Sequence, residues 1–183
     1  MRDDSAHSFY HIRGQSGVPA LFLDDQDYAV FLNLLKCCLS SQPRRDISGK
    51  SYPLLVKKLD LICFCLMPSG FHLLVYQKEE RAVRALMGSV LSNYGRHFNK
   101  KYGHGGKLLK SSPKVSRIRY LSYLEGMTRY IHLQPEKWRF YPYSSLAYYL
   151  NDKRTDWLRP GRVSRLFASR QDYLMYLDDK GIK

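Results

Sequence analysis

LDLICFCLMPSGFHLLVY, residues 59–76, holds two apolar runs parted by Pro68-Ser69-Gly70. The stretch is interrupted by Asp60, Pro68, Gly70 and His72, so it does not read as a membrane-crossing helix. Short apolar runs bounded by turn residues read as buried strands. The first strand is expected over residues 54–67 and the second over residues 71–76. The break between them then closes a hairpin.

Working outward, FYHIR at residues 9–13 reads as a short strand closed by Gly14 and by Gly17-Val18-Pro19. After Asp24-Asp25, the residues Tyr28, Phe31, Leu32, Leu35, Cys38 and Leu39 recur at three and four, which is one face of a helix. That helix is expected to end near Ser40 to Pro43. Residues 44–53 are polar and contain Gly49, so they read as a loop. Beyond the hairpin, Val83, Leu86, Met87, Val90, Leu91, Tyr94 and Phe98 mark a second amphipathic helix from Glu79. A basic glycine-rich loop follows at residues 102–106. Residues 114–118 read as an edge strand, and Tyr120, Leu121, Leu124, Met127 and Ile131 mark a third helix stopped by Pro135. The order strand, helix, strand, strand, helix, strand, helix predicts an α+β fold: a ferredoxin/RRM-like antiparallel sheet with helices packed on it. Residues 1–137 form the core in this reading. Residues 138–183 form a helical C-terminal extension of the same domain, whose apolar residues suggest that it docks.

The chain has 183 residues, 44% of them hydrophobic, which suits one ordinary domain and excludes a disordered or collagen-like chain. Lys and Arg number 30 against 16 Asp and Glu, a formal charge of +14. The charge is concentrated: residues 81–119 contain ten Lys or Arg and no acid. A solvated basic face usually mixes in acids, and an anionic-membrane binder would want a basic amphipathic helix with a greasy face, so nucleic acid is the expected partner. The opening MRDDSAHSFY lacks the apolar run of an export leader, and the expectation is a cytoplasmic, nucleoid-associated protein with no membrane partner. Cys37 and Cys38 are adjacent and Cys63 and Cys65 alternate, with no CxxC, so the cysteines read as packing.

On the third helix, at about 100° per residue, Tyr123, Tyr130 and Gln134 lie along one margin of the apolar face. Tyr130 and Gln134 are one turn apart. A tyrosine packing its ring at the rim of a core explains the pair. A hydroxyl nucleophile beside a metal ligand explains it too, because covalent catalysis on a phosphodiester needs both. His72 interrupts the apolar run of the hairpin. It is either a hydrogen-bonded core residue or a ligand.

Met67-Pro68-Ser69-Gly70-Phe71-His72-Leu73-Leu74-Val75 resembles the MPNHFHLLV signature of single-tyrosine HUH transposases, in particular the REP-associated tyrosine transposases. Tyr10-His11-Ile12 and Arg13-Gly14-Gln15 resemble that family's YHV and RGN. Asp27-Tyr28 with Phe31-Leu32 is similar to its first helix, and Tyr94 with residues 97–102 to its Y-x-x-YFN-x-x-Y helix. Arg129-Tyr130-Ile131-His132-Leu133-Gln134-Pro135 resembles RYIHLNP, and Tyr141-Pro142-Tyr143-Ser144-Ser145 resembles Y-x-WSS.

The resemblance implies a sheet on which two hairpin histidines and a polar helix residue hold a divalent metal. It also implies a helix tyrosine that attacks a phosphate in single-stranded DNA beside a hairpin. Carried across, Tyr130 is the nucleophile, and His72 and Gln134 are ligands to Mg²⁺ or Mn²⁺, Gln replacing the more usual Asn. The position of the first histidine is Gly70, which ligates nothing, so a weak metal site is expected, water serving where a protein ligand is missing. His11 and His132 are candidate substitutes, although His132 falls on a different helix face from Tyr130. Lys107 to Ser112 departs from the family's GHLFQGRFK-like stretch, keeping the charge and losing the aromatic. The expected DNA contacts are Arg13, Arg96, Lys100, Lys101, Lys107, Lys110, Lys114 and Arg117.

Two functional readings follow. One is a transposase-like enzyme that cleaves and rejoins single-stranded or hairpin DNA through a 5′-phosphotyrosine, its activity impaired by the missing histidine. The other is a non-catalytic, domesticated binder of hairpin DNA. Either works as a monomer or a homodimer. An RRM-type RNA-binding sheet shares the element order but would carry an RNP string, which is absent.

Overall fold

A computed structural model of the chain describes residues 4–43, 49, 51–151 and 155–179. Most of the expected 44–53 loop, namely residues 44–48 and 50, lies outside the described residues, as do the first three residues and the last four. The elements are β1 (Ser8–Gln15), α1 (Asp25–Leu39), β2 (Leu59–Met67), β3 (Gly70–Gln77), α2 (Ala82–Tyr102), β4 (Lys114–Ile118) and α3 (Tyr123–His132). A 3₁₀ turn (Trp138–Phe140) and three short helices follow: α4 (Leu146–Leu150), α5 (Gly161–Ser164) and α6 (Arg170–Asp178).

The four strands form one antiparallel sheet in the order β2-β3-β1-β4. This is the ferredoxin-like βαββαβ arrangement the element order predicts. The sheet is covered on both sides, which is why β2 and β3 are apolar at nearly every position. One face turns Ile12, Phe71, Leu73 and Val75 toward α1 and α2, whose Phe31, Leu35, Leu86, Val90 and Tyr94 complete the larger core. The other turns Phe9, Cys63, Cys65 and Leu74 toward α3 and the C-terminal helices, meeting Leu124, Ile131, Leu146, Tyr149 and Tyr173. Each fully buried large side chain in these layers contributes about 1.5–3 kcal/mol. Cys63 and Cys65 are buried packing residues, and burial pushes the Cys65 thiol up to about 12.

The extension seals the edge of β2. Leu66 N–H donates to Tyr143 O, Ser145 N–H to Phe64 O, and Arg159 N–H to Leu61 O, so the edge strand's free backbone groups are met by later chain. Phe64 N–H also donates to Ser145 Oγ.

Three expectations are corrected. β2 starts at Leu59, because residues 54–58 turn toward it rather than pair with β3. β1 continues through Gly14 to Gln15, because the glycine leaves room for the Phe71 ring, whose atoms lie as close as 2.2 Å to where a Cβ would stand. α3 begins at Tyr123, so Tyr120 and Leu121 precede it and are exposed. Its buried stripe is Leu124, Thr128, Ile131 and His132.

The ends of α1 and α2 are joined by Asp27, which is fully buried. Its carboxylate accepts from Leu23 N–H (2.9 Å), the Tyr102 hydroxyl (2.8 Å), Lys101 Nζ (3.1 Å) and His97 Nε2 (3.2 Å). Burial alone would raise its carboxyl, but the hydrogen bonds from Leu23, Tyr102, Lys101 and His97 outweigh it and hold the group below the usual carboxylate range. The group therefore stabilises the fold above the unfolded value and loses that contribution as pH falls through the folded one. Asp27→Ala is expected to cost about 3 kcal/mol at neutral pH in urea unfolding, with the gap from wild type narrowing below about pH 4. A gap that stays constant into acid would contradict the assignment.

Candidate active site

Antiparallel partners share a face, and Arg13 pairs with His72 while His11 pairs with Leu74. His11, Arg13 and His72 therefore all stand on the α3 side of the two central strands. His11 Nε2 and His72 Nδ1 share a hydrogen bond of 2.9 Å, and the rings stack at 5.1 Å. Tyr130 projects from α3 edge-on to both, its ring centroid 5.5 Å from His72 and 5.9 Å from His11. The phenol is 46% exposed, enough to meet a phosphate on a macromolecule. One turn on, Gln134 Nε2 donates to Tyr130 O at 3.1 Å, which leaves Oε1 available as an acceptor. His72 and Gln134 line one cleft of about 90 Å³ with Arg13, Gln15, Ser69 and Gly70.

The two imidazoles are neutral at pH 7. Burial, reinforced by His11 and Arg13, brings His72 down to about 4. Burial, with Arg13 and Lys114, lowers His11 as well. Arg13 stands directly across from Lys114 on β4, and among the described residues neither has a carboxylate partner. Like charges in that position repel, so the pair persists at a cost that a bound anion would remove.

The donors for a divalent ion are few. With Nδ1 tied to His11, His72 offers Nε2, and Gln134 offers Oε1. His11 Nε2 is committed to His72. Among the described residues no group of three His, Cys, Asp or Glu could hold a metal. Two neutral donors beside Arg13 and Lys114 suit an ion that arrives with a phosphate, which supplies negative charge and oxygen ligands, better than a resident one.

The other sequence candidates separate. Lys110 N–H donates to Gln15 O and Gly17 N–H to Leu108 O, which sets the 107–110 loop, with exposed Lys107 and Lys110, at the site's end of β1. Lys114 is beside it. Arg117 pairs with Tyr10 and so stands on the opposite face of β4. Arg96 and Lys100 are exposed on α2, in the layer across the sheet from Tyr130. Lys101 is engaged with Asp24 and Asp27. His132 is fully buried, bonded to Tyr173 Oη at 2.6 Å and Ser145 Oγ at 2.8 Å, and burial lowers it to about 3. It ties α3 to the extension and does not reach Tyr130's surroundings. His11 is the residue a single-strand reading underrates, because only the β1–β3 register reveals its place beside His72.

Gly70 adopts φ +147°, and a Cβ there would sit 2.1 Å from Gly14 O. The first position of the expected histidine pair is thus closed by backbone as well as lacking a side chain.

No protein-family model and no curated protein matches the sequence. A solved structure of a REP-associated tyrosine transposase bound to a REP hairpin is similar in fold: TM-score 0.58 at 10% identity, over 87% of this chain and 90% of that one.

Gly70→Ala is expected to lower stability by about 1–3 kcal/mol in urea unfolding, from the disallowed φ and the clash with Gly14 O. Gly70→His should be destabilised at least as much. A neutral Gly70→Ala would show that the hairpin end relaxes freely.

Proposed function

We propose that this chain binds single-stranded or hairpin DNA at the Tyr130 end of the sheet, and breaks and rejoins a strand through a phosphotyrosine at Tyr130. The observation that carries the reading is the meeting of an exposed phenol, a neutral histidine pair and the Gln134 amide beside an unneutralised Arg13–Lys114 pair. The fold likeness to a transposase bound to a REP hairpin supports the choice of ligand.

Arg13 and Lys114, with Lys107 and Lys110 on the adjoining loop, draw the DNA backbone to the cleft. Exposed Tyr120 and Tyr123, in edge contact at 5.7 Å, offer faces on which unpaired bases stack. Tyr130 Oη attacks the phosphorus, forming one P–O bond as the bond to the 3′ oxygen breaks. The phenol proton leaves, and the departing 3′ oxygen takes up a proton. Reversal with a new 3′ hydroxyl rejoins the strand at no net cost in phosphodiester bonds. His72 Nε2 and Gln134 Oε1 would hold Mg²⁺ or Mn²⁺, which polarises the phosphate when bound. His11 fixes the His72 ring and its tautomer, the part a hydrogen-bonded neighbour plays for a metal-bound histidine.

The closed backbone at Gly70 favours a second reading, a hairpin-DNA binder that no longer cuts.

Covalent capture separates the two. Wild type incubated with Mn²⁺ and single-stranded DNA from the flanks of its own gene is expected to give an adduct that survives denaturation. Tyr130→Phe should give none, and His72→Ala and His11→Ala about 10–100-fold less. DNA retention by wild type without any adduct would leave the binder reading alone standing.

A further inference from the structure

A second concavity lies away from Tyr130. A cleft of about 1030 Å³ opens between the β2–β3 end farthest from the hairpin turn and the C-terminal helices. Lys78, Arg159, Arg162, Arg165 and Arg170 line it, with Asp60 the one acid among the described residues of its lining. Asp60 is already matched: Lys78 Nζ meets its carboxylate at 2.7 Å and Arg162 Nε at 2.9 Å. Arg162 Cζ also stands over the Tyr76 ring, 3.9 Å from its centroid, a contact that holds it against the wall. Arg159 Nη1 donates to the carbonyls of Thr155 and Leu158, a brace that holds its guanidinium at the rim. Arg165 is exposed and completes no ion pair among the described residues.

We infer that this cleft takes the phosphodiester backbone of a nucleic-acid strand, at a place separate from Tyr130. An apolar cavity with a few polar groups would suit a small organic ligand, whereas five cations are among the residues that line this one. Five cations in one cleft suit a chain of phosphates rather than a single one, and Arg is suited to binding phosphate in two-pronged fashion. Lys78 is six residues along from His72, about 20 Å at the rise of a strand. A strand held at Tyr130 and long enough to cross that distance meets the second cleft. The C-terminal extension then does more than seal the edge of β2: it supplies Arg159, Arg162, Arg165 and Arg170.

The cleft shares only its ligand class with the reading of Tyr130, and the test separates them. Labelled single strands, one short and one long enough to reach both places, are titrated by fluorescence anisotropy over a range of salt. The proteins are wild type, Arg159→Ala/Arg165→Ala, Arg165→Glu and Arg13→Ala/Lys114→Ala. The double cleft variant is expected to weaken the long strand and flatten its log Kd against log salt slope by about 1.4, two phosphate contacts at about 0.7 each. The short strand should be unchanged. Arg165→Glu, which leaves the Arg159 brace intact, should weaken the long strand in the same direction. Unchanged slopes in both cleft variants, while Arg13→Ala/Lys114→Ala weakens both strands, would overturn the cleft and leave the Tyr130 reading in place. Loss of affinity for anionic phospholipid vesicles and not for DNA would overturn it in favour of a membrane surface.

Discussion

The antiparallel pairing of β1 with β3 sets which side chains share a face, and a slip of one residue would exchange the contents of the core and the site. In the observed register Arg13 faces His72, and His11 lies diagonal to it, within hydrogen-bond reach. Tyr10 and Ile12, one step away in sequence, are instead buried with α1 and α2. Shifting the register would drive two imidazoles and a guanidinium into that core and leave Ile12 in the cleft, which burial energies do not permit. The close fit of Phe71 over Gly14 allows only the one alignment. The same packing that holds the sheet together therefore also aims the candidate chemistry.

Covering both faces of the sheet has an electrostatic consequence. α3 lies over His11 and His72 closely enough to remove water and neutralise them, yet leaves Arg13 and Lys114 in solvent. Neutral nitrogens inside and positive charge at the lip favour an anion that enters edge first. The wall behind is stiffened from the far side of α3, where buried His132 is bonded to both Tyr173 and Ser145. Ser145 also binds β2, so α3, α6 and the sheet edge are fixed to one another through a single imidazole and hydroxyl.

The hairpin, both long helices and the edge strand were legible in the sequence, because their apolar periods are long and their turn residues unambiguous. Tyr130 and Gln134 were legible as neighbours for the same reason, helical spacing being local. His11 was not legible as a partner of His72, since sixty-one residues separate them and only strand register joins them. The cationic cleft was equally hidden: its walls come from β2, the residue just after β3, and short helices and loops with little periodicity. Lys101 read as one more cation in a basic run, although folding returns it to Asp24 and Asp27 at the start of α1.

Gly70 shows why a residue matched to a motif cannot be judged by its side chain alone. The missing histidine would lie next to the two-residue turn Pro68-Ser69, at a position paired with both Gln15 and Met67. There the backbone has taken a conformation natural only to glycine, with Gly14 O where a side chain would begin. Losing the imidazole and reshaping the hairpin end thus go together, and replacing one does not undo the other. His11 does not fill the gap through its Nε2 either, because that nitrogen is spent on His72. On the proposed reading this leaves two donors, His72 and Gln134, with cations at their edge, where an ion and a phosphate would each improve the site for the other. Any divalent ion acting here would then depend on bound DNA, and affinity measured on the protein alone would understate it.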